Sequence, residues 1–197
     1  WVLWDGGYPD GTAPDVVNVG NDNNQNNDIV FFKYTTEPKA LQTVDLSEVD
    51  TYDYKFELRG GSLKDLVIVD DDALSADVTL NFDAGTGDPA GPDSREAWAY
   101  TDTLRVLDAA TLRADDMERV TNLEIIELAA TQNAAQEYVV ELNTHVINQP
   151  TGTSALYIRV DPNVPAGSKV AIVFSENSTA LATNNVIVER TSNVQVY

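Results

Sequence analysis

Residues 101–128 read TDTLRVLDAATLRADDMERVTNLEIIEL, and their two apolar runs, DTLRVLD and NLEIIELA, decide the fold class. Both runs are short and rich in β-branched residues, and polar residues flank them, which is typical of β-strands. Between the runs, Asp108–Val120 is the best helix candidate of the chain. Asp108 is placed to cap its start, and Leu112 and Met117 supply a sparse apolar face.

Eight further runs have the same character: NDIVFFKYT, DYKFELR, DLVIVD, DVTLNFD, EYVVELNT, ALYIRVD, KVAIVFSE and NNVIVER. Clusters of Gly, Pro, Asn and Asp separate them, so the sequence predicts an all-β fold of about ten strands with at most one or two short helices. In DYKFELR polar and apolar residues alternate, as in a strand that has one face on the core and the other in water. We therefore predict a β-sandwich. A short β-solenoid is the alternative, since several units run strand, turn, strand with nearly continuous apolar character. The stretch up to about Gly20 is loop-like.

The chain of 197 residues is expected to form a single domain, residues 1–197. Its first and last residues lie in apolar or strand-like sequence, and the start does not resemble a signal peptide. These features predict a module excised from a longer multidomain chain. No run of about 18 apolar residues occurs, so direct membrane insertion is not expected.

Charge and residue types narrow the function. The chain has 32 acidic and 12 basic residues, a net charge of −20, which would repel nucleic acids and anionic membranes. There is no cysteine, which excludes disulfides and thiolate sites, and His145 is the single histidine, which disfavours zinc. No G-x-S-x-G elbow accompanies His145, so we read it as structural and the protein as a non-enzyme. The alternative to a non-enzyme is a carbohydrate-active enzyme with a β-sandwich fold.

Aspartates in turn-rich loops are the candidate cation ligands. Of the acids 21 are Asp, whose short carboxylate suits Ca²⁺, an ion that takes six to eight oxygens from flexible loops. The spacing matches no EF-hand, and solubility of a halophilic or marine protein is the plainer reading of the charge. We expect several Ca²⁺ ions. The candidate ligands in these loops are Asp22, Asp28, Asp70, Asp71, Asp72, Asp83, Asp88 and Asp93.

One acidic loop leads directly into aromatic residues. The loop DAGTGDPAGPD, residues 83–93, is followed by Arg95, Trp98 and Tyr100. Rings beside cation-bound carboxylates can stack on a ligand, and an arginine can pair with a ligand carboxylate. We therefore predict that Arg95, Trp98 and Tyr100 bind ligand, although rings that cap the core and an arginine paired within its own loop would give the same pattern.

Residues 101–128 also resemble a unit of large calcium-dependent bacterial surface proteins. In repeats-in-toxin adhesins and S-layer-like proteins a D-T-L stretch is followed by a short turn or helix and a strand of the form V-x-N-x-E-x-[IL]-x-L. The matching positions here are Asp102, Thr103, Leu104, Val120, Asn122, Glu124, Ile126 and Leu128. With the acidic loops, the chain is most similar to the peptide-binding domains of such adhesins. We add Asp102, Asp108 and Glu124 to the candidate Ca²⁺ ligands.

The resemblance implies a Ca²⁺-stabilised β-sandwich on the bacterial surface that grips the free C-terminal carboxylate of a peptide on a host or neighbouring cell, flanked by further adhesin domains. A bound Ca²⁺ would help to hold that carboxylate. The nonapeptide G-G-x-G-x-D-x-U-x is absent, so a parallel β-roll of the toxin type is not predicted. The alternatives are a glycan-binding adhesin domain and a non-binding spacer or S-layer-like domain.

Overall fold

The computed structural model describes the following residues of the chain: 2–5, 16–18, 28–33, 42–47, 54–59, 65–70, 74, 78–82, 102–108, 110–147, 155–175, 185–189 and 194–196.

The described residues form strands in three sheets. Sheet A contains, in spatial order, β1 (Val2–Asp5), β3 (Asp28–Lys33), β5 (Tyr54–Arg59), β7 (Val78–Asn81) and β10 (Val120–Thr121). Sheet B contains β2 (Val16–Asn18), β4 (Gln42–Asp45), β6 (Asp65–Val69), β8 (Thr103–Leu107), β11 (Ile125–Ala129), β13 (Ala155–Val160) and β15 (Asn185–Glu189). Sheet C contains β9 (Thr111–Leu112), β12 (Glu137–Leu142), β14 (Lys169–Phe174) and β16 (Gln195–Val196).

Every described strand pair is parallel, and consecutive strands of the chain lie in different sheets. The chain therefore winds in coils, and each coil pairs with the next. The register gives the length of each coil, and this length varies: it is 22 residues from Phe56 to Val78 and from Thr103 to Ile125, and 32 residues from Ile125 to Tyr157. The all-β prediction is confirmed. The pairing is that of the alternative, a β-solenoid, and differs from a sandwich of antiparallel sheets.

Alternating side chains explain why these segments become strands that stack. In β6 the residues Val67 and Val69 are buried, while Leu66 and Ile68 are half-buried on the other face. The same alternation runs through β12, and the inward side chains of all three sheets meet in one continuous core. Complete burial of a Val or Leu side chain contributes about 1.5–3 kcal/mol, so each coil is held mainly by its inward row.

All ten predicted strand segments contain strands, β3, β5, β6, β7, β8, β11, β12, β13, β14 and β15. The prediction missed β1, β2, β4, β9, β10 and β16, which have two to four residues each. Two of these, β1 and β2, fall in the stretch up to Gly20 that was expected to be loop-like. Such short segments carry too few residues to show alternation, and they become strands because a neighbouring coil supplies a pairing edge.

The helix predicted over Asp108–Val120 is wrong. The segment contains strand β9 and then a 3-10 helix, η1 (Asp116–Arg119). Asp108 has a φ of 51°, a left-handed conformation that turns the chain between sheets and does not start a helix. Pairing of β9 with β12 therefore outweighs the weak helical pattern.

The described helix α1 (Thr144–Ile147) lies in a segment expected to be strand-like. Asn143 caps it, because its Oδ1 accepts the N–H of Val146 at 2.9 Å. The ring Nε2 of His145 is 3.1 Å from the carbonyl oxygen of Val120, at the start of β10. The imidazole thus joins α1 to the last strand of sheet A, which agrees with the structural role expected for His145.

A turn at Pro165–Ser168 gives the first prediction. Ser168 N–H donates to Pro165 O at 3.2 Å, and Gly167 between them has a φ of 88°. A Cβ at this position would meet only Ala135 Cβ, at 3.9 Å, so the backbone and not crowding limits substitution. We expect Gly167→Ala to lower the free energy of unfolding by about 1 kcal/mol, measured by urea denaturation. Gly167→Asn is the control and should lose less, since Asn enters this conformation more readily; equal losses would contradict the explanation.

Candidate functional site

The corners that lead from sheet A to sheet B differ greatly in length. Residues 122–124 suffice between β10 and β11, and residues 60–64 between β5 and β6. Between β7 and β8 the chain uses residues 82–102. The strands on either side of this segment are nevertheless in register with the shorter corner, because Asn81 lies opposite Thr121 and Thr103 lies opposite Ile125. Residues 83–101 are therefore an insertion into one corner of the solenoid.

Both ends of the insertion are fixed in the core. Phe82 is fully buried, and its N–H donates to Thr121 O at 3.1 Å. At the other end Asp102 is buried, and its N–H donates to Glu124 Oε2 at 2.8 Å. The insertion thus leaves and returns at one corner, and the neighbouring coil bridges the same gap with three residues, 122–124.

A column of buried carboxylates runs along this corner. The column consists of one residue from each of three successive coils, just before or at the start of a sheet B strand: Asp65, Asp102 and Glu124. Each of these side chains lies on the same face of its strand as the buried core residues, so it points inward. Asp102 Oδ1 accepts the N–H of Asp65 at 2.8 Å, as Glu124 Oε2 accepts that of Asp102. We call these three residues the carboxylate ladder. It supplies acceptors to backbone amides at the corner.

Burial changes the chemistry of the ladder at Glu124. Loss of water around its side chain, which is 4% exposed, raises the pKa of Glu124 from 4.5 to about 7, although the N–H groups of Asp102 and of Glu124 itself oppose the change. Glu124 therefore gains or loses a proton near neutral pH.

The outer face beside the corner is also buried. Thr103, Ile125 and Tyr157 point outward in one row of sheet B, and Ile125 and Tyr157 form a small cluster with Ala155, apart from the main core. The hydroxyl of Thr103 is buried and has no hydrogen-bond partner in the part of the chain that the structure describes. This outer patch borders the base of the insertion, since Thr103 directly follows Asp102.

Further along the same strands the outer face becomes charged. Arg105, Glu127, Arg159 and Glu189 lie side by side on four neighbouring strands. Arg105 Nη2 is 2.8 Å from Glu127 Oε2, and Arg159 Nε is 3.0 Å from Glu189 Oε2. These four residues form a charge row of alternating sign. Opposite charges on adjacent strands favour this register over one shifted by a residue.

The structure brings together two of the predicted Ca²⁺ ligands, Asp102 and Glu124. Asp108 lies at the far end of β8, where its carboxylate accepts the N–H of Thr131 at 2.8 Å and the hydroxyl of the same residue. Asp70 follows β6 and is half-buried, and Asp28 begins β3. The remaining predicted site residues lie outside the described residues: Asp22, Asp71, Asp72, Asp83, Asp88, Asp93, Arg95, Trp98 and Tyr100.

Among the predicted Ca²⁺ ligands, Asp102, Glu124 and Asp108 accept hydrogen bonds from backbone N–H groups. In the described residues, no group of three or more His, Cys, Asp or Glu side chains is arranged to hold a metal ion. The prediction of Ca²⁺ therefore depends on the acidic loops outside these residues, and it stays a prediction.

Sequence reasoning missed Asp65 as a member of the ladder. A signal was present, because an acid directly precedes or opens three apolar runs: Asp65 before LVIV, Asp102 before TLRVL and Glu124 before IIELA. Alignment of strand starts in parallel register places these acids in one column. The antiparallel arrangement expected for a sandwich hides that column.

No family model, curated protein or solved structure matches this chain. Within the described residues, no helix has the length and apolar character needed to cross a membrane.

The raised pKa of Glu124 predicts a pH-dependent stability. A carboxyl with a higher pKa in the folded state contributes most below its unfolded pKa of 4.5, and that contribution is lost as the pH rises through about 7. The difference in pKa corresponds to about 3 kcal/mol of unfolding free energy. Glu124→Gln keeps an oxygen for Asp102 N–H and cannot ionise, so it should be more stable than the wild type at about pH 8 and lose this advantage at about pH 5.

Urea denaturation followed by circular dichroism, in chelator throughout, measures both proteins across this range. Glu127→Gln is the matched control on the opposite face, because it removes the ion pair with Arg105 and should lower stability at about pH 8. A constant difference between Glu124→Gln and wild type at every pH would contradict a buried, titrating Glu124.

Proposed function

We propose that this chain is a non-enzymatic, calcium-dependent adhesion module of a bacterial cell surface, and that it binds the C-terminal carboxylate of a peptide. The resemblance of residues 101–128 to repeats-in-toxin adhesins motivates the class. The insertion supports it: one corner of a solenoid that otherwise turns in as few as three residues carries residues 83–101.

The position of the insertion favours a binding role. In solenoids, each coil packs on its neighbours, and extra residues at one corner are accommodated as a loop that is often part of the binding face. The core anchors at Phe82 and Asp102 hold both ends of this insertion on the frame of the solenoid. A rigid frame that carries a variable loop is a common arrangement for recognition.

The residue types of the insertion suit the proposed ligand. Asp83, Asp88 and Asp93 supply hard oxygen ligands for Ca²⁺ among small residues that let backbone carbonyls approach. A Ca²⁺ with an open coordination position, or Arg95, would attract a carboxylate. Trp98 and Tyr100 would stack on the neighbouring side chain or backbone of the peptide.

A spacer or S-layer-like role is the second candidate. The observation in its favour is the charge row, because alternating ion pairs and a continuous core are what a purely structural stack of coils requires. In this role Ca²⁺ would stiffen the acidic loops without contacting a ligand. A carbohydrate ligand in place of a peptide is a variant of the first proposal, and the same assay tests it.

Peptide and glycan arrays probed with the full chain, with Ca²⁺ or with chelator, test the binding role. We expect Ca²⁺-dependent binding to peptides with a free C-terminus and none to their amides, because the amide removes the carboxylate charge. Arg95→Ala should weaken binding about tenfold or more, as expected for loss of a charge-assisted hydrogen bond. Arg113→Ala, an exposed arginine outside the insertion, is the matched control and should bind like the wild type.

A variant in which Asn-Leu replaces residues 82–101, copying Asn122 and Leu123, should bind no ligand. Urea denaturation shows whether this shortened chain still folds. Equal binding of acid and amide peptides would contradict recognition of the carboxylate. Absence of all binding, together with Ca²⁺-induced self-assembly, would favour the spacer.

Removal of Ca²⁺ gives a separate prediction. If acidic loops bind several ions, chelation should lower the melting temperature by tens of degrees, since bound ions offset repulsion within a chain of net charge −20. Thermal unfolding in Ca²⁺, in Mg²⁺ and in chelator measures this, and Mg²⁺ should restore little because it demands stricter geometry. Identical melting curves in Ca²⁺ and chelator would contradict the proposal.

A further inference from the structure

The short corner of the coil that follows the insertion carries three polar side chains that bond to the preceding coil. Thr121 Oγ1 donates to Asn81 Oδ1 at 2.8 Å, and Asn122 Nδ2 donates to the same oxygen at 3.1 Å. Glu124 Oε2 accepts the N–H of Asp102 at 2.8 Å. We call Thr121, Asn122 and Glu124 the clip residues. Because Asn81 ends β7 and Asp102 directly precedes β8, the clip residues bond to the chain at both ends of the insertion.

The backbone of the corner is shaped for these contacts. Asn122 has a φ of 62°, a left-handed conformation that asparagine enters more readily than most residues. The chain can therefore turn from sheet A to sheet B within residues 122–124. Leu123 is fully buried, so its packing fixes the corner to the core, while Asn122 beside it is half-buried and reaches Asn81.

Main-chain bonds add to the clip at both ends. At the first end, Phe82 N–H donates to Thr121 O at 3.1 Å, and the Phe82 ring is fully buried. At the second end, Asp102 is held from both sides, because its Oδ1 also accepts the N–H of Asp65 in the coil before. The same corner thus sets the point at which the insertion leaves the solenoid and the point at which it returns.

We propose that the clip residues are positioning residues of the binding site: Thr121 and Asn122 hold the first end of the insertion, and Glu124 holds the second. This role rests on the proposed binding function of the insertion and places part of its support in a coil outside it. Sites on loops are held in place by neighbouring side chains whose own positions are fixed. The clip residues need no contact with the ligand in this role.

Two candidate binding residues lie close in sequence to the ends that the clip holds. Asp83 follows Asn81 by two residues, and Tyr100 precedes Asp102 by two. Two residues of chain reach at most about 7 Å, so the position of each end limits where these side chains can lie. Binding should therefore depend on hydrogen bonds that the ligand does not touch.

A purely structural role is the alternative, since the same bonds also join two coils. Loss of a bond would then lower the free energy of unfolding and leave the insertion unchanged in the folded chain. Substitution of Asn81 separates the two roles, because Asn81 is exposed and its Oδ1 accepts both bonds at the first end. Asn81→Ala removes this oxygen, and Asn81→Asp keeps it.

The absence of cysteine allows a single nitroxide label to report on the insertion. Ser94→Cys carries the label within the insertion, and Gln132→Cys carries it at an exposed position elsewhere. Electron paramagnetic resonance in chelator should show faster label motion at residue 94 in Asn81→Ala than in wild type or Asn81→Asp. At residue 132 the motion should be equal in all three proteins.

Calorimetric titration with Ca²⁺ alone measures the effect on binding. We expect Asn81→Ala to bind Ca²⁺ about three- to tenfold more weakly than wild type, the range expected for loss of one or two hydrogen bonds between uncharged groups. Asn81→Asp should not weaken binding, and Asn163→Ala, at an exposed asparagine outside the insertion, is the matched control and should bind like wild type. At the second end, Glu124→Ala should weaken binding, whereas Glu124→Gln keeps an oxygen for Asp102 N–H and should not.

Unchanged label motion at residue 94 in a folded Asn81→Ala chain would overturn the inference, as would an equal increase in Asn81→Asp. Urea denaturation shows whether the variants fold. Equal Ca²⁺ affinity of wild type and Asn81→Ala would overturn the positioning role even if the label moves faster. Absence of Ca²⁺ binding by wild type would contradict the proposed function itself, and the label would still show whether the clip holds the insertion.

Discussion

Stacking of one coil on the next depends on hydrogen bonds between parallel strands, and that pairing is hardest to maintain where the chain turns a corner. A buried backbone N–H without an acceptor costs roughly 1–3 kcal/mol, so a solenoid must provide acceptors at each turn. At the corner from sheet A to sheet B the acceptors are the carboxylates of Asp102 and Glu124, each bonded to an amide of the preceding coil. At the corner before sheet C, Ser168 Oγ accepts the N–H of Gln136 at 2.9 Å. These bonds give the amides at both corners an acceptor, so the inward apolar rows pack there without a buried unpaired N–H.

This solution has an electrostatic consequence. A carboxylate is costly to bury in charged form, and this cost raises the pKa of Glu124 to about 7, so this member of the ladder takes up a proton near neutral pH. On the outer face of the same sheet the charges are paired, because the charge row alternates in sign and its members neutralise each other. One sheet thus has buried carboxyl groups inside its corner and paired charges outside. A one-residue slip would exchange the two faces, so both features favour the same register.

The sequence predicted the strands well because most have four to six residues and alternate or are continuously apolar, as in β6 and β13. It did not distinguish a sandwich from a solenoid, since periodicity reports which face is buried and not the direction of the neighbouring strand. The repeat was not visible in the sequence because the coils differ in length: 22 residues separate Thr103 from Ile125, but 40 separate Leu80 from Val120. The prediction failed at Asp108–Val120 for the same reason, because a weak local helix pattern was replaced by pairing of β9 with a strand that follows much later. Glu124 was selected as a cation ligand, while its bond to Asp102 N–H could be recognised only from the register.

In the proposed adhesion module, the solenoid and the insertion contribute differently to recognition. At the insertion, the solenoid contributes fixed anchors, and any specificity belongs to the loop residues between them. Phe82 and Asp102 fix the two ends of the insertion because each bonds to the neighbouring coil, so the register of that coil sets where the inserted residues leave the solenoid and return to it.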